Sequence, residues 1–221
     1  MYSPTSEEAI IYLGYNKSMN QKLVIWDFDG VIADTFRMCF GIIRMSNPEL
    51  TEVKYRKRFE GNINRVGKDK QEKSNIDFWA EYEKNILNQK LVEGIQYPIQ
   101  QLAMKYPQVI VSSTISKPIT TFLEHHNIRQ YVQEIYGNEE SESKVEKFNM
   151  ILQKYNISAG DCVFITDTLG DVKEASKVGI KIVAVTWGYQ SRATLERGKP
   201  AAIVEISNDI ADAVTGAMYE G

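Results

Sequence analysis

The sequence has few cysteines and few histidines, and this scarcity excludes several classes of protein. Cys39 and Cys162 are the two cysteines, they lie far apart in apolar surroundings, and the chain has two histidines. A disulfide scaffold, or a zinc site built from clustered cysteine and histidine, therefore has no basis in this sequence. Isolated apolar thiols are typical of a reducing compartment, so we expect a cytoplasmic protein.

Long apolar runs and a strong excess of one charge are also missing. No stretch approaches the roughly 18–20 apolar residues of a membrane-spanning helix, and the N-terminal residues do not resemble a secretory signal. A formal charge of −3 argues against a protein that tracks the phosphate backbone of nucleic acids. We therefore expect neither a membrane nor a nucleic acid as a partner. The 43% hydrophobic and 25% charged residues predict a folded chain with a substantial core.

Short apolar, β-branched segments recur along the chain and predict strands that are buried on both faces. They cover residues 23–26, 109–111, 134–136, 162–166, 182–185 and 202–204. Helical patterns lie between the later segments. This alternation predicts an α/β fold, a Rossmann-like doubly wound parallel sheet with helices on both faces. In such a sheet, ligands bind at the carboxyl ends of the strands.

The alternation is interrupted after the first strand. Between Asp34 and Pro98 the sequence is helical and polar, without a good strand. We expect residues 34–97 to form a small helical lobe over the strand ends, inserted into a core of residues 1–33 and 98–221. Within this insertion, residues 52–73 contain eight Lys or Arg and four acids. Such a segment suits either a solvated helix face or a patch that attracts anionic substrates.

Two acids directly follow the first strand, in the run Trp-Asp-Phe-Asp-Gly at residues 26–30. In an extended chain, residues i and i+2 point the same way, so Asp27 and Asp29 are expected to project together. Two close carboxylates resist simultaneous ionisation, so one can serve as a nucleophile while the other keeps a proton, unless a cation neutralises both. Gly30 is expected to form a turn with room for a bound group.

Further polar side chains follow two of the other predicted strands. Asp167 and Asp171 follow the segment 162–166, and oxygen ligands of this type suit Mg²⁺, with Asp167 as the expected ligand. Ser112, Ser113 and Thr114 follow the segment 109–111, where their hydroxyls suit a phosphoryl oxygen. Each feature alone is also typical of helix caps and turns.

Taken in order, strand-DxD-Gly, strand-Ser, helix-Lys and strand-Asp-xxx-Asp resemble the haloacid dehalogenase superfamily. The closest resemblance is to its phosphatase-type members with a helical cap, of the phosphoglycolate phosphatase and beta-phosphoglucomutase kind, and it covers most of residues 23–213. The resemblance implies a Mg²⁺-dependent hydrolase of a small phosphorylated cytosolic metabolite, acting through an aspartyl-phosphate. A mutase of the beta-phosphoglucomutase kind is the alternative. A non-enzymatic phospho-acceptor signalling domain is a more distant one, since its acceptor and acid pair lie on different strands.

The resemblance also implies roles for the acids. Asp27 would attack phosphorus, and Asp29 would protonate the leaving oxygen and then activate water. Mg²⁺ would be held by Asp27, Asp167 and the main-chain carbonyl of Asp29, while Asp171 would support the metal shell or a lysine. Thr166 departs from the family pattern, because many relatives have glycine before this aspartate.

Other residues receive roles from the same resemblance. Ser112 would bind the transferring phosphoryl group, with Ser113 as the alternative if the strand ends one residue later. Lys144 would balance the charge, although Val145 follows it where many relatives have proline. Arg65, in a loop of the insertion, is a candidate substrate contact.

Helix periodicity distinguishes two lysines on the predicted helix 144–155. At about 100° per residue, Lys144 lies about 40° from the centre of the apolar stripe and Lys147 about 100° from it. We therefore predict that Lys144 is the catalytic cation. Lys147 is predicted to be a solvated residue whose replacement by alanine changes little.

Overall fold

The computed structural model of the chain describes residues 22–63 and 76–219. Six parallel strands form one sheet, in the order β3-β2-β1-β4-β5-β6. The strands are β1 (Leu23–Trp26), β2 (Gln108–Val111), β3 (Glu134–Tyr136), β4 (Cys162–Thr166), β5 (Lys181–Val185) and β6 (Ala202–Val204). The predicted α/β doubly wound fold is confirmed.

Helices connect the strands and cover both faces of the sheet. In the described residues the α-helices are α1 (Phe36–Ser46), α2 (Glu52–Lys57), α3 (Phe78–Asn85), α4 (Gln96–Ala103), α5 (Ser116–His125), α6 (Lys144–Tyr155), α7 (Leu169–Val178), α8 (Arg192–Glu196) and α9 (Ile210–Tyr219). Short 3₁₀ turns cover Arg58–Glu60, Ile86–Asn88, Arg129–Tyr131, Ala159–Asp161 and Ser207–Asp209.

The central strands are apolar along their whole length because both of their faces are covered. In β1, Val24 and Trp26 belong to one hydrophobic cluster, which also contains residues of α4, α5 and α9. Leu23 and Ile25 belong to a second cluster on the opposite face, against α6 and α7. All four side chains are fully buried, as expected for a strand whose alternate residues face two helical layers.

The register of the three central strands brings their carboxyl ends to one edge. Trp26 pairs with Ile110 of β2 and with Ile165 of β4. The residues that follow β1, β2 and β4 therefore emerge side by side. The chain winds outward from β1 to β3 and then returns to β4 on the other side of β1. This reversal of strand order is where open α/β sheets bind ligands.

Helices α1 to α4 lie between β1 and β2. Among the described residues, the interval 34–97 takes part in β-pairing through one isolated bridge, between Leu91 and Ala33. A second isolated bridge joins Ala33 to Asp29. The expected boundary between residues 97 and 98 falls inside α4. Strand β2 begins one residue earlier than predicted, at Gln108, whose buried side chain accepts a hydrogen bond from Trp26 Nε1 at 2.8 Å. A polar residue enters the strand because its amide is satisfied there.

No helix in the described ranges is long and apolar enough to cross a membrane. Cys39 and Cys162 are both buried and neither forms a disulfide. Burial raises the pKa of the Cys162 thiol to about 12, so this thiol stays protonated at neutral pH.

Candidate active site

Asp27 leaves β1 at the carboxyl edge of the sheet, and its carboxylate is held from two sides. The Asp27 amide donates to the Ile165 carbonyl at 2.9 Å, which extends the β1–β4 pairing by one residue. Asp27 Oδ1 accepts the Phe28 amide at 2.8 Å, and Oδ2 lies 3.0 Å from Lys144 Nζ. Burial raises the pKa of Asp27 well above its usual range, while Lys144 acts in the opposite direction. The lysine is therefore the main group that favours the anion here.

Lys144, at the start of α6, lies between two carboxylates. Its Nζ is 2.7 Å from Asp171 Oδ2 in addition to its contact with Asp27. Burial opposes the charge of Lys144, but Asp171 and Asp27 together raise its pKa above the usual range. Thr166 Oγ1 donates to the same Asp171 oxygen at 2.8 Å. The threonine that departs from the family pattern thus orients Asp171, whose pKa is held low, against its burial, chiefly by Lys144.

The prediction that Lys147 is solvated is wrong. Its side chain is fully buried, and its Nζ donates to the carbonyl of Ser112 at 2.6 Å and to that of Gly137 at 3.1 Å. The apolar stripe misplaced the buried face of α6, because Val145 is only half-buried while Lys144 and Lys147 are both buried. Lys147 therefore ties together the ends of β2 and β3, directly behind the candidate phosphate site.

Asp29 is half-buried and is held by two hydroxyl groups. Tyr82 of α3 donates to Asp29 Oδ1 at 2.7 Å, and Thr114 donates to Oδ2 at 2.6 Å. Thr114 is one of the three hydroxyl residues that follow β2 and were expected to bind a phosphoryl oxygen, but its hydroxyl donates to Asp29 instead. Sequence reasoning missed Tyr82, because no local pattern links a tyrosine of the insertion to a residue far away in the chain. The two aspartates of the DxD motif thus have different surroundings.

Ser112 and Ser113 both line the cavity over the strand ends. The Ser112 amide donates to the Tyr136 carbonyl at 3.0 Å, and its Oγ accepts the Thr114 amide at 3.0 Å. Ser112 is buried and Ser113 is half-buried. Ser112 is therefore the more firmly positioned of the two hydroxyls that the sequence left as alternatives.

Asp167 follows β4 and is fully buried, with one carboxylate oxygen satisfied and the other not. Oδ2 accepts the Tyr189 amide at 2.6 Å, whereas Oδ1 has no hydrogen-bond partner among the described residues. Burial raises the pKa of Asp167 to about 7. A buried carboxylate oxygen without a partner is costly unless a proton or a cation occupies it.

Two glycines make room for Asp167. Gly30 has φ +78°, and a Cβ at this position would overlap the Asp167 carboxylate and the Tyr189 ring. A Cβ at Gly188 would overlap the Asp167 carboxylate and its Cβ. Gly30 forms the expected turn, and the space that its missing Cβ leaves is occupied by the side chains of Asp167 and Tyr189.

These donors fit a hard divalent cation. Asp27 and Asp167 lie at adjacent strand ends, both offer oxygen, and Asp167 Oδ1 has no protein partner in the described ranges. Hard cations such as Mg²⁺ are held by one or two carboxylates and complete their shell with other oxygens. The described residues contain no group of three or more His, Cys, Asp or Glu side chains arranged for a metal. A site of this composition would therefore depend on main-chain, water and substrate oxygens as well.

The insertion contacts the core around this site. Arg56 of α2 donates to the carbonyls of Gly188 and Tyr189, and its guanidinium lies 3.8 Å from the centroid of the Phe36 ring. Asn62 Nδ2 donates to Glu174 Oε1 at 3.0 Å. At least one member of the basic segment therefore binds the core rather than solvent. Arg65 lies outside the described residues.

A cavity of about 910 Å³ lies above the strand ends, between the core and the insertion. Its floor includes Asp27, Asp29, Ser112, Lys144 and Asp171. The helices of the insertion supply most of the remaining wall. Residues from all four predicted motifs, including Asp27, Ser112, Lys144 and Asp171, thus face one cavity.

Comparisons with known proteins agree with this arrangement. The profile of the family described as haloacid dehalogenase-like hydrolase matches residues 24–185. Phosphoglycolate phosphatase of Synechococcus elongatus is 27% identical over 111 residues, which cover 50% of this chain and 52% of that protein. Phosphoglycolate phosphatase of Vibrio parahaemolyticus is 20% identical over 112 residues, which cover 49% of each. The chain spans about half the length of the curated relatives that it matches.

Solved structures share the fold over nearly their whole length. A protein described as a predicted phosphatase from Clostridium acetobutylicum has a TM-score of 0.74 at 18% identity, covering 88% of this chain and 98% of that one. A haloacid dehalogenase-like family hydrolase from Streptococcus pneumoniae has a TM-score of 0.69 at 17% identity, covering 88% and 99%. With a family profile that matches residues 24–185 of 221 and a parallel sheet that carries its motifs at one edge, the chain belongs to the haloacid dehalogenase-like hydrolase family.

Proposed function

We propose that this chain is a Mg²⁺-dependent phosphomonoester hydrolase that acts on a small phosphorylated metabolite through a phosphorylated Asp27. The proposal depends on one observation, the convergence of Asp27, Lys144 and Ser112 on the floor of one cavity, with Asp167 buried at the adjacent strand end. The similarity to two phosphoglycolate phosphatases supports phosphatase chemistry. The buried, unbridged thiols are consistent with a cytoplasmic reaction.

In the first step, an Asp27 carboxylate oxygen attacks phosphorus, and the bond from phosphorus to the leaving oxygen breaks. Asp29 gives its proton to that oxygen, which leaves as an alcohol. The Ser112 hydroxyl donates to a phosphoryl oxygen, and Lys144 offsets negative charge next to the nucleophile, 3.0 Å from Asp27 Oδ2. Covalent catalysis of this kind divides one difficult displacement into two easier ones.

In the second step, Asp29 takes a proton from water, and the water oxygen attacks phosphorus. The bond from phosphorus to Asp27 breaks, which releases inorganic phosphate and restores both aspartates. Asp29 must therefore exist in both protonation states during one cycle. Its two partners, Tyr82 and Thr114, are hydroxyls. Because hydroxyls both donate and accept, they can hold the carboxylate and the carboxylic acid in the same place.

Mg²⁺ would be held by Asp27, Asp167 and the main-chain carbonyl of Asp29. Bound there, it would neutralise charge on the phosphoryl oxygens and orient the group for in-line attack. The unpartnered Oδ1 of Asp167 supports this assignment. Asp171 would act through Lys144, which it contacts at 2.7 Å.

The insertion, residues 34–97, would act as a cap that closes the site and selects the substrate. The contact of Tyr82 with Asp29 and the cavity lining from α1, α2 and α3 support this role. Arg65 as a substrate contact stays a prediction, since it lies outside the described residues.

The test is phosphate release by the full chain from a panel of phosphomonoesters, with Mg²⁺ and with excess chelator. We expect many equivalents of inorganic phosphate per chain, lost on chelation and in Asp27→Asn. A mutase would return a rearranged ester without net phosphate, and a phospho-acceptor would stop after one equivalent. Either result would contradict the hydrolase proposal.

A further inference from the structure

The cavity above the catalytic floor changes its chemistry with distance from the strand ends. The floor is polar, with carboxylates, hydroxyls and Lys144. The wall supplied by the insertion has more apolar than polar members. Besides tyrosine hydroxyls, its polar members in the described residues lie near the ends of helices α1 and α2, and they are Ser46, Asn47, Glu49, Lys54 and Arg58. A ligand whose phosphoryl group reaches Asp27 would place the rest of its structure against the apolar wall.

Two aromatic groups form much of that wall. On α2 and the turn that follows it, Tyr55 packs against Phe59 with ring centroids 5.2 Å apart, and Phe59 packs against Tyr189 at 4.7 Å. On α3, Phe78 and Trp79 are 5.1 Å apart, in an edge-to-face arrangement. All five rings line the cavity. Mutual packing fixes these rings before any ligand binds, which favours a flat apolar partner.

Phe59, Phe78 and Trp79 are only half-buried although they contact other hydrophobic residues. Their remaining surface faces the cavity, where it stays in contact with water until a ligand displaces that water. Large apolar side chains at a concave, otherwise protected site are typical of ligand recognition.

Size leads to the same conclusion. A cavity of about 910 Å³ is at the upper end of the roughly 300–1,000 Å³ of pockets that enclose drug-sized ligands. A two-carbon carboxylate such as glycolate would fill a small part of it. Lys144, the buried cation of the floor, is already bound by two carboxylates, so a substrate carboxylate would have to reach Lys54 or Arg58 in the wall.

Given the proposed phosphatase activity, on which this inference rests, we propose that the substrate is a phosphomonoester whose leaving group carries an aromatic ring system. The phosphoryl group would bind at Asp27 and Ser112. The ring would lie between Phe59 on one side and Trp79 on the other. Phosphoglycolate and hexose phosphates would then be poor substrates, whatever the names of the relatives.

The test compares phosphate esters of primary alcohols, so that the leaving oxygen is chemically similar throughout. The panel contains 2-phosphoglycolate, glucose 6-phosphate, 2-phenylethyl phosphate, pyridoxal 5′-phosphate and riboflavin 5′-phosphate, with Mg²⁺ present. We expect kcat/KM for at least one of the aromatic esters to exceed that for 2-phosphoglycolate by about 100-fold. Turnover that favours 2-phosphoglycolate or glucose 6-phosphate would overturn this inference and leave the hydrolase proposal standing.

Substitutions of Trp79 test whether the preference for aromatic esters arises at the proposed ring site. Trp79→Ala should lower kcat/KM for the aromatic ester by about 10-fold more than that for 2-phosphoglycolate. Trp79→Leu, which keeps more of the packing, should give a smaller loss in the same direction. Tyr97→Ala is the control, because Tyr97 is an exposed aromatic residue of the insertion outside this cavity. Equal losses for all esters would indicate a general structural effect and contradict the inference.

Binding separates the two proposals if no ester is hydrolysed. Calorimetry with 2-phenylethylphosphonate and methylphosphonate, which cannot be hydrolysed, measures the contribution of the ring alone. Tighter binding of the phenyl compound, lost in Trp79→Ala, would support the ring site and leave only the hydrolase proposal refuted. Equal binding of the two phosphonates would refute the ring site.

Discussion

Asp27 and Asp29 are separated by a single residue, yet their surroundings suit two different chemical roles. Asp27 is buried, and its carboxylate accepts the Phe28 amide and contacts the Lys144 ammonium. Asp29 is half-buried and held by two hydroxyls. A neighbouring cation stabilises a nucleophilic carboxylate, whereas hydroxyl partners tolerate both forms of a group that must gain and lose a proton.

We predict that Asp27→Asn abolishes turnover, because an amide oxygen is a poor nucleophile and carries no charge for Lys144 or a metal. Asp29→Asn should lower kcat by about 100-fold or more, the usual contribution of a general acid and base. Phosphate release in single-turnover and steady-state assays checks both values. Activity of Asp27→Asn above a few per cent of wild type, with deamidation excluded by mass spectrometry, would contradict the covalent mechanism.

Replacing Lys144 should reduce activity, whereas replacing Lys147 should reduce stability. Lys144→Met should lower kcat/KM by orders of magnitude, because it removes the cation next to the nucleophile. Lys147→Met should instead lower the free energy of unfolding by about 1–3 kcal/mol, since the buried carbonyls of Ser112 and Gly137 lose their donor. Chemical denaturation and kinetics of both variants check this. The prediction fails if Lys147→Met unfolds like wild type.

The lowered pKa of Lys147 should make the stability of the fold depend on pH. Burial, assisted by the nearby Lys144, lowers the pKa of Lys147 to about 8 from 10.5. Between these values the unfolded chain binds more protons than the folded chain, so this residue makes the folded state more stable as pH rises above 8. The stability difference between wild type and Lys147→Met should therefore grow by at most about 1.4 kcal/mol per pH unit from pH 8 to 9.5. A difference that shrinks over this interval would contradict the assignment.

Position 30 requires glycine for two reasons, its backbone conformation and the close approach of neighbouring side chains. Its φ of +78° is unfavourable for any residue with a Cβ, and that Cβ would overlap Asp167 and Tyr189. Gly30→Ala should destabilise the fold by at least about 1–2 kcal/mol and displace the candidate metal ligand. Gly41→Ala is the matched control, since a Cβ there meets nothing within 4 Å. Equal unfolding midpoints for the two variants would refute this account.

At the scale of elements, helix α3 connects the insertion to the acid of the DxD motif. The Tyr82 ring is fully buried while its hydroxyl reaches Asp29 at 2.7 Å. The position of the helix over the strand ends thus determines whether Asp29 keeps both of its partners. Movement of the insertion would change the orientation of Asp29 as well as access to the cavity.

Tyr82→Phe tests this connection, because it removes the hydroxyl and keeps the ring. We expect kcat to fall by about 10-fold through weaker positioning of Asp29, with a smaller change in KM and an unfolding midpoint close to that of wild type. Tyr97→Phe, on an exposed ring of the same insertion, should change none of these quantities.

At the scale of the whole molecule, cation binding should be visible as stability. A ligand that binds the folded chain alone raises its free energy of unfolding, and the effect grows with the ratio of ligand concentration to Kd. Mg²⁺ should raise the Tm, and chelator should reverse the increase. Asp167→Asn should abolish the Mg²⁺ effect. Asp161→Asn should retain it, because Asp161 precedes β4 and lies at the other end of the strand from Asp167. An equal Mg²⁺-induced increase in all three proteins would remove Asp167 from the site.

The fold could be predicted well from the sequence because its strands are short, apolar and buried on both faces. Strands β1, β3, β4 and β6 occupy the predicted residues, and β2 and β5 each begin one residue earlier. The errors fall at Gln108 and Lys181, polar residues at strand starts. A hydrophobicity pattern cannot identify a buried amide that is satisfied by Trp26, a residue 82 positions away.

The sequence by itself determined which motifs meet, since residues that follow neighbouring parallel strands must emerge at one edge. This local chemistry places Asp27, Ser112 and Asp167 together. Tertiary structure alone decided the environment of each group. The partners of Asp29 and the burial of Lys147 come from segments distant in the chain, and such contacts depend on how helices pack on the sheet, which the period of one helix does not encode.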